Sequence, residues 1–205
     1  MILNHKKREN LLSKHNLKRP KTFLVKSKKE ALKKADIIGF PVVAKISSEE
    51  HLHRTELGGV FVDINSKKRL EEVFDELSEI DGVEGVIIQK QIEGIEFIVG
   101  AKKDDVFGST IMLGTGGTMV ELFEDVSFRV APIKKEDAFE MMDEIKGKKL
   151  LDGFRGGPEI SKEELADLLV KASKLAFEED IEELDFNPVI GNKDGLYICD
   201  VKIVL

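Results

Sequence analysis

The chain has 205 residues, of which 41% are hydrophobic and 35% are charged. It is therefore long enough for one large domain or two small lobes, and apolar enough to exclude wholesale disorder. The formal net charge of −7 argues against a nucleic-acid-binding protein, which would usually be basic, and the single cysteine excludes a CxxC metal site. No apolar run approaches the ~20 residues needed to span a bilayer, and residues 1–7 lack the apolar core of a signal peptide, so we expect a cytoplasmic protein.

Helices and strands alternate in the first ninety residues. A charged helix over residues 6–15 leads to a short strand at 22–25, and Ser27 with Glu30 forms a capping box that opens a helix ended by Gly39. β-branched and alternating runs predict three further strands, and an amphipathic pattern predicts one helix. These strands are expected at 41–46, 60–64 and 85–89, and the helix at 66–80.

Strands dominate from residue 91 onward, and glycines interrupt them. Strands are expected at 96–100, 106–113 and 119–123, helices at 135–145 and 162–178, and a hairpin over 186–205 with its turn at 192–195. The whole pattern predicts two α+β lobes, over about 1–90 and 91–205, with a cleft between them.

Three glycine clusters lie beside charged residues, at 58–59, 114–117 and 153–157. Glycine lets backbone amides approach a phosphate because no Cβ stands in the way, and consecutive amides form anion-binding nests. None of the clusters matches the Walker or dinucleotide pattern. Ordinary tight turns explain any one of them alone.

Lys45 lies inside the apolar strand at 41–46. Its ammonium would be desolvated there unless it faces a cleft or an anion. The alternative is a lysine at a strand edge whose side chain extends into water. Taken alone, the residue favours neither reading.

Asp185, Asn187 and Asp200 place carboxylate and amide oxygens on the paired strands of the C-terminal hairpin. Such oxygens suit Mg²⁺, which completes its shell with water and nucleotide phosphates. The alternative is turn-capping chemistry, which is common beside hairpins.

His53 lies in a polar loop before the glycines at 58–59. Loop histidines are usually simply exposed, and His51 with His53 lacks a third ligand for a metal. A neutral imidazole beside glycines could instead accept a phosphoryl group.

The order of these pieces resembles the ATP-grasp domain of ADP-forming acyl-CoA synthetases, relatives of succinyl-CoA synthetase, and in particular the small beta subunit of ADP-forming acetyl-CoA synthetases (acetate–CoA ligases). Each matching block is moderately specific, but eight in one order are strongly specific. The resemblance implies an α+β ATP-grasp fold: two α/β lobes with a nucleotide cleft between them. The blocks are 38–46, 53–60, 94–100, 113–117, 120–132, 151–158, 183–188 and 199–203.

The resemblance also implies which residues bind ATP or ADP. Lys45 is similar to the family's phosphate-contacting lysine, which also serves the transfer step. Gln89 lies on the strand between the lobes where such proteins bind adenine. Glu96 is similar to the carboxylate that holds the ribose, and Gly116 and Gly117 would line the cleft.

Metal and transfer roles follow from the same resemblance. Asn187 and Asp200 correspond to the Mg²⁺ ligands, with Glu121 and Asp185 close to them, Glu121 as a catalytic residue. His53 corresponds to the histidine that is transiently phosphorylated in the acyl-CoA synthetase branch. Arg129 and Arg155 become candidates to contact phosphate or a neighbouring loop.

The chain carries no CoA-binding dinucleotide-type domain, so the resemblance implies a CoA-binding alpha subunit as partner, in an α2β2 arrangement. No nucleic acid polymer or membrane is expected as a partner. Two alternatives remain: a nucleotide-sensing module like that of fused protein acetyltransferases, and a carboxylate–amine ligase. The set Lys45, His53, Asn187 and Asp200 argues against the first, and the lack of an extra lobe for an acceptor argues against the second.

Overall fold

The computed structural model describes residues 1–48, 58–117 and 124–205. Within these residues there are five α-helices and ten β-strands, and no helix is both long and apolar enough to cross a bilayer. The helices are α1 (His5–Lys14), α2 (Lys28–Ile38), α3 (Lys67–Ser78), α4 (Lys135–Glu144) and α5 (Lys162–Glu178). The strands are β1 (Thr22–Val25), β2 (Val42–Ser47), β3 (Val60–Ile64), β4 (Gly85–Lys90), β5 (Ile95–Asp104), β6 (Gly108–Thr115), β7 (Val126–Val130), β8 (Glu183–Asn192), β9 (Gly195–Ile198) and β10 (Lys202–Val204).

Contacts divide the chain into two compact units. The smaller unit is Arg19–Ile92, and the larger unit combines Met1–Lys18 with Glu93–Leu205. Each unit contains one sheet whose neighbouring strands are antiparallel.

The smaller unit has strand order β1-β4-β2-β3. One face of this sheet packs against α2 and α3 in a single apolar core. The Ser27 side chain caps α2 by accepting from the amide of Glu30, as the sequence predicts. The second half of the predicted capping box is different, because the Glu30 carboxylate accepts from the amide of Lys26 at 3.0 Å. Gly39, at φ 80°, ends the helix in a conformation that favours glycine.

The larger unit has strand order β10-β8-β5-β6-β7, with β9 also paired to β8. Helices α4 and α5 cover one face of this sheet, and the alternate residues Phe97, Val99 and Ala101 of β5 point into the core beneath them. The predicted C-terminal hairpin is therefore part of a larger sheet, in which β8 is a central strand.

Residues 1–18 pack with the larger unit, although the sequence-based division at 90/91 places them in the first lobe. Leu3, Leu12 and Leu17 are buried in the larger core. The amide of Leu3 donates to the carbonyl of Ile203 at 2.9 Å, and Ile2 forms a β-bridge with Val204. Residues 1–18 belong to the larger unit because their leucines are buried against residues far away in the sequence. Local sequence patterns do not reveal such contacts.

Two strands of the larger unit differ from the elements expected from the sequence. The strand expected from residue 106 begins at Gly108, because the carboxylate of Asp104 accepts from the amides of Val106 and Phe107 at 2.8 and 2.9 Å and so stabilises a turn. Strand β7 was not expected at all. The strand expected at 119–123 lies outside the described residues.

Arg129 links β7 to helix α4. Its guanidinium donates to both carboxylate oxygens of Glu144, at 3.0 and 2.6 Å, and to Glu140 at 3.3 Å. Ser127 also donates to Glu144. The Arg129 and Ser127 hydrogen bonds lower the pKa of Glu144 to about 2. Arg129, a candidate for phosphate contact from the sequence, thus takes part in a strand-to-helix ion pair.

We predict that Glu144→Gln lowers the free energy of unfolding by on the order of 1 kcal/mol at pH 7, since the pair is bidentate but Glu144 is 49% exposed and screened by solvent. The folded pKa of Glu144 lies below its unfolded value of about 4.3. Its stabilisation is therefore present above that value and is lost as the pH falls toward about 2. In urea unfolding, the difference in free energy of unfolding between Glu144→Gln and wild type should shrink as the pH is lowered from 7 to 2.5.

The matched control for this prediction is Glu140→Gln, which removes a longer contact from a carboxylate that is 68% exposed. It should change stability little. If the loss of unfolding free energy in Glu144→Gln stayed constant across the pH range, the lowered pKa of Glu144 would be contradicted.

Candidate functional site

Lys45 and Gln89 share the helix-free face of the smaller sheet. In the antiparallel register Lys45 stands opposite Ile87, and Gln89 stands opposite Val43. Paired residues project to the same face of a sheet, and successive residues alternate between faces. The interleaved positions Val42, Ala44 and Ile46 of β2 and Val86 and Ile88 of β4 belong to the core with α2 and α3. The structure thus brings two predicted site residues together on adjacent strands.

Both polar side chains are deeply buried. Lys45 is 6% exposed and Gln89 is 2% exposed. The Gln89 amide nitrogen donates to the hydroxyl of Thr22 at 3.1 Å. Strand β2 is paired on both sides, with β3 and with β4, so Lys45 is not at a strand edge. A buried ammonium on a central strand has a high desolvation cost and therefore requires a polar or charged partner.

Glu96, Gly116 and Gly117 meet where β5 begins and β6 ends. The amide of Gly116 donates to the carbonyl of Glu96 at 2.8 Å. A Cβ on Gly116 would lie 2.6 Å from the Cβ of Glu96 and 2.8 Å from its carbonyl oxygen, so only glycine fits. Gly117 has φ 71°, and a Cβ there would come within 3.6 Å of the Glu96 carboxylate.

Glu96 lies on the helix-free face of the larger sheet. It precedes Phe97, which is in the core, and alternation therefore turns Glu96 and Gly100 to the other face. Asp185 is paired with Gly100 and projects to that same face. A groove of about 260 Å³ lies beside Asp185, with Met112 and Phe128 among its walls.

Asp200 lies close to Asp185 and Asn187 in the folded chain. Lys202 is paired with Asp185 in the β10–β8 register, and the amide of Cys199 donates to the carbonyl of Pro188 at 2.9 Å. The segment between these two points contains Asp200, so the structure brings the three predicted oxygen ligands into one place.

This oxygen cluster is acidic and partly desolvated. Burial, together with the charges of Asp200 and Glu183, raises the pKa of Asp185 to about 6, although Lys202 opposes the shift. Two carboxylates and one amide oxygen fit Mg²⁺, a hard cation that keeps several water or phosphate ligands. No group of three or more His, Cys, Asp or Glu side chains able to hold a metal occurs in the described ranges.

The remaining predicted residues differ in what the structure says of them. His53 and Glu121 lie outside the described residues. Arg155 has a left-handed backbone (φ 53°) in the 3₁₀ turn Phe154–Gly156, and its guanidinium stacks 5.3 Å from the Phe154 ring centre. The sequence analysis also missed the buried carboxylate of Asp125, which precedes β7. Its only sequence signal is an acidic residue inside a matching block, because burial depends on the tertiary fold.

The sequence matches the ATP-grasp domain family over residues 1–205. Together with the two antiparallel sheets and the acidic cluster, this match defines the class: the chain belongs to the ATP-grasp family. The α+β ATP-grasp fold expected from the sequence is confirmed.

Two curated relatives are more specific. The chain is 40% identical to the ADP-forming acetate–CoA ligase II of Archaeoglobus fulgidus over 206 residues, which cover 100% of this chain and 30% of that protein. It is 39% identical to the beta subunit of the ADP-forming acetate–CoA ligase I of Pyrococcus furiosus, covering 91% of this chain and 84% of that subunit. The chain thus spans about 30% of the former. The resemblance to the acetate–CoA ligase beta subunit is confirmed.

A solved structure is similar over the whole chain. It is the dinucleotide forming acetyl-coenzyme A synthetase 1 of Ca. Korarchaeum cryptofilum with coenzyme A, Ca-AMPCP and HgCl+, with TM-score 0.92, 37% identity, and coverage of 100% of this chain and 93% of that one. The same protein was also solved with coenzyme A and Mg-AMPPCP and with its phosphohistidine segment pointing towards the nucleotide binding site, at TM-score 0.83, 37% identity, and coverage of 99% and 92%.

We predict that Asp185→Asn stabilises the metal-free protein above pH 6 by on the order of 1 kcal/mol, because it removes one of two adjacent, partly desolvated negative charges. The folded pKa of Asp185, about 6, exceeds its unfolded value of about 3.9. The ionised carboxyl therefore reduces stability as the pH rises from about 4 to 6, and has no effect below that window.

Thermal unfolding in EDTA at pH 4 and pH 7.5 checks this. Asp194→Asn is the control, because that carboxyl lies in the exposed β8–β9 turn. If Asp185→Asn were less stable than wild type at pH 7.5, the inferred repulsion between Asp185 and Asp200 would be contradicted.

Proposed function

We propose that the chain is the ATP-grasp part of an ADP-forming acyl-CoA synthetase, and that it transfers a phosphoryl group between His53 and ADP or ATP with Mg²⁺. The observation that carries this proposal is the 39% identity to the Pyrococcus furiosus beta subunit over 91% of this chain and 84% of that subunit. The family match alone would leave the reaction open, because one fold serves many activities.

The residues proposed to contact the nucleotide lie on the helix-free face of each sheet. Lys45 would contact its phosphates, and its position on the same face of the smaller sheet as Gln89 supports this role. Gln89, on the adjacent strand, would bind the adenine. Glu96 would hold the ribose, and the Cβ-free backbone of Gly116 and Gly117 would allow the nucleotide to approach closely.

Asn187 and Asp200 would ligate Mg²⁺, with Asp185 and Glu121 near it. The electrostatics support this assignment: the proximity of Asp185 and Asp200 concentrates negative charge on one face, and a divalent cation would relieve it. When bound, Mg²⁺ supplies charge neutralisation to the terminal phosphates.

His53 would carry the phosphoryl group between the two halves of the reaction. Toward ATP, an oxygen of the ADP β-phosphate attacks the phosphorus on the His53 ring. The P–N bond breaks as the P–O bond forms, and the released ring nitrogen takes the electron pair and a proton from solvent. Lys45 would stabilise the negative charge on the transferred oxygens. The reverse step would load His53 from ATP.

The acyl-CoA half of the reaction would lie outside this sequence. The Pyrococcus relative is named a beta subunit, and the Archaeoglobus relative is a longer protein of which this chain spans 30%. The subunit name of the first and the greater length of the second support a further, CoA-binding alpha part as the partner of this chain. An α2β2 assembly and a cytoplasmic location stay predictions.

Labelling with [γ-³²P]ATP and Mg²⁺ tests the transfer directly. Wild-type chain should acquire acid-labile, base-stable label that ADP removes, as expected for phosphohistidine. His53→Ala should lose at least roughly 99% of this label, since nucleophile removal typically costs 10² or more in rate, while Mg-ATP affinity stays within about threefold.

His51→Ala is the matched control, two positions away in the same segment, and it should be labelled like wild type. Equal labelling of the His53→Ala chain would exclude the shuttle role. Tight Mg-ATP binding by wild type without any labelling would favour the nucleotide-sensing alternative.

A further inference from the structure

Asp125 is a buried carboxylate that receives three hydrogen bonds. It is 5% exposed. The hydroxyl of Thr115 donates to one of its oxygens at 2.9 Å, the amide of Gly147 donates to the same oxygen at 2.8 Å, and the amide of Lys146 donates to the other. Buried charges persist only when they are satisfied in this way.

These contacts join three segments of the larger unit. Thr115 is the last residue of β6, Asp125 immediately precedes β7, and Lys146 and Gly147 begin the 3₁₀ turn Lys146–Leu150. The backbone adds a fourth contact, because the amide of Thr115 donates to the carbonyl of Asp125 at 3.3 Å. One side chain thus fixes where β6 ends relative to the turn.

Packing around the carboxylate leaves little freedom. A Cβ on Gly147 would lie 2.2 Å from the Cγ2 of Thr115 and 3.1 Å from an oxygen of Asp125, so the turn lies directly against Thr115. Burial opposes ionisation of Asp125, but the amides of Lys146 and Gly147 and the Thr115 hydroxyl outweigh it, and its pKa lies below the usual value. The carboxylate is therefore ionised and acts as an acceptor at both oxygens.

Because Thr115 is held in place, the position of the next residue, Gly116, is also restricted. Gly116 follows it directly, and its amide is bonded to the carbonyl of Glu96 at 2.8 Å. Gly116 has no room for a Cβ against Glu96. A displacement of Thr115 would therefore move Gly116 and Gly117, and with them the backbone of Glu96.

We propose that Asp125 is a positioning residue of the nucleotide site: its buried carboxylate holds Thr115 and the 146–147 backbone, and so fixes Gly116, Gly117 and Glu96 in the arrangement that receives the nucleotide. This inference rests on the proposed function, which gives those three residues their role. Asp125 itself would touch no substrate.

Asparagine is the sharpest substitution because it keeps the shape and changes one acceptor into a donor. The oxygen of Asp125 that serves both Thr115 and Gly147 would become an NH₂ group facing an N–H, or the side chain would flip and place it against the Lys146 amide. Either orientation leaves a donor against a donor. The hydrogen bonds that hold Thr115 and the 146–147 backbone would be weakened without a cavity being created.

Isothermal titration of the full chain with Mg-ATP provides the test, at a temperature where circular dichroism shows every variant to be folded. Asp125→Asn should raise the dissociation constant roughly tenfold, equivalent to the loss of about one well-placed interaction. Thr115→Val should raise it by a smaller factor, and Thr115→Ser, which keeps the hydroxyl, should restore wild-type affinity.

Glu144→Gln is the matched control, since it removes hydrogen bonds to Arg129 and Ser127 in the same unit and none of the hydrogen bonds to Asp125. It should lower the unfolding temperature without changing the dissociation constant. A merely structural role for Asp125 predicts the same behaviour for Asp125→Asn.

The outcomes are distinct. Weaker binding by Asp125→Asn and Thr115→Val, with Thr115→Ser and Glu144→Gln unchanged, supports the positioning role. A folded Asp125→Asn chain that binds like wild type overturns it and leaves the proposed function intact. Absence of Mg-ATP binding by wild type overturns the nucleotide site itself, and the positioning role with it.

Discussion

The repulsion between Asp185 and Asp200 is the interaction on which the candidate site depends. Asp185 is paired with Lys202 in the register of β8 and β10, which brings Asp200 close to it. Burial and the charge of Asp200 raise the pKa of Asp185 to about 6. Folding alone gains nothing from this arrangement. A bound divalent cation would replace this repulsion with attraction to both carboxylates.

Strand alternation explains how each sheet serves both a core and a site. In β2, Ala44 and Ile46 pack beneath the helices while Lys45 projects to the opposite face. In β5, Phe97 and Val99 do the same while Glu96 turns away. Because side chains alternate with period two, a polar residue can occupy the helix-free face without disturbing the core. The same rule operates in both units.

The sequence predicted most of the strands and helices, because their periodicity is local. It predicted the grouping of Asp185, Asn187 and Asp200 from a hairpin pattern, and the order of eight blocks predicted the family. Strand β7 was missed because its polarity is inverted: Ser127 is buried and Phe128 exposed. The Arg129–Glu144 ion pair explains why the helix-facing side of that strand is polar.

Other features were beyond sequence reasoning because they depend on contacts between distant residues. Leu3 reaches Ile203 across nearly the whole chain, which assigns the first eighteen residues to the larger unit. Asp125 looks like any exposed acidic residue in the sequence. Only the fold brings Thr115, Lys146 and Gly147 around it and suggests that a buried charge supports the glycine pair at the end of β6.

We propose that Lys45 and the oxygens of Asn187 and Asp200 bind the same metal-bound nucleotide. The most direct measurement is paramagnetic broadening of backbone amide signals after Mn²⁺ replaces Mg²⁺ in the complex with AMPPCP. The account predicts that the signals of Lys45, Asn187 and Asp200 broaden together, and only when nucleotide and metal are both present. Broadening at Asn187 and Asp200 with no effect at Lys45, or broadening that is independent of the nucleotide, would contradict it.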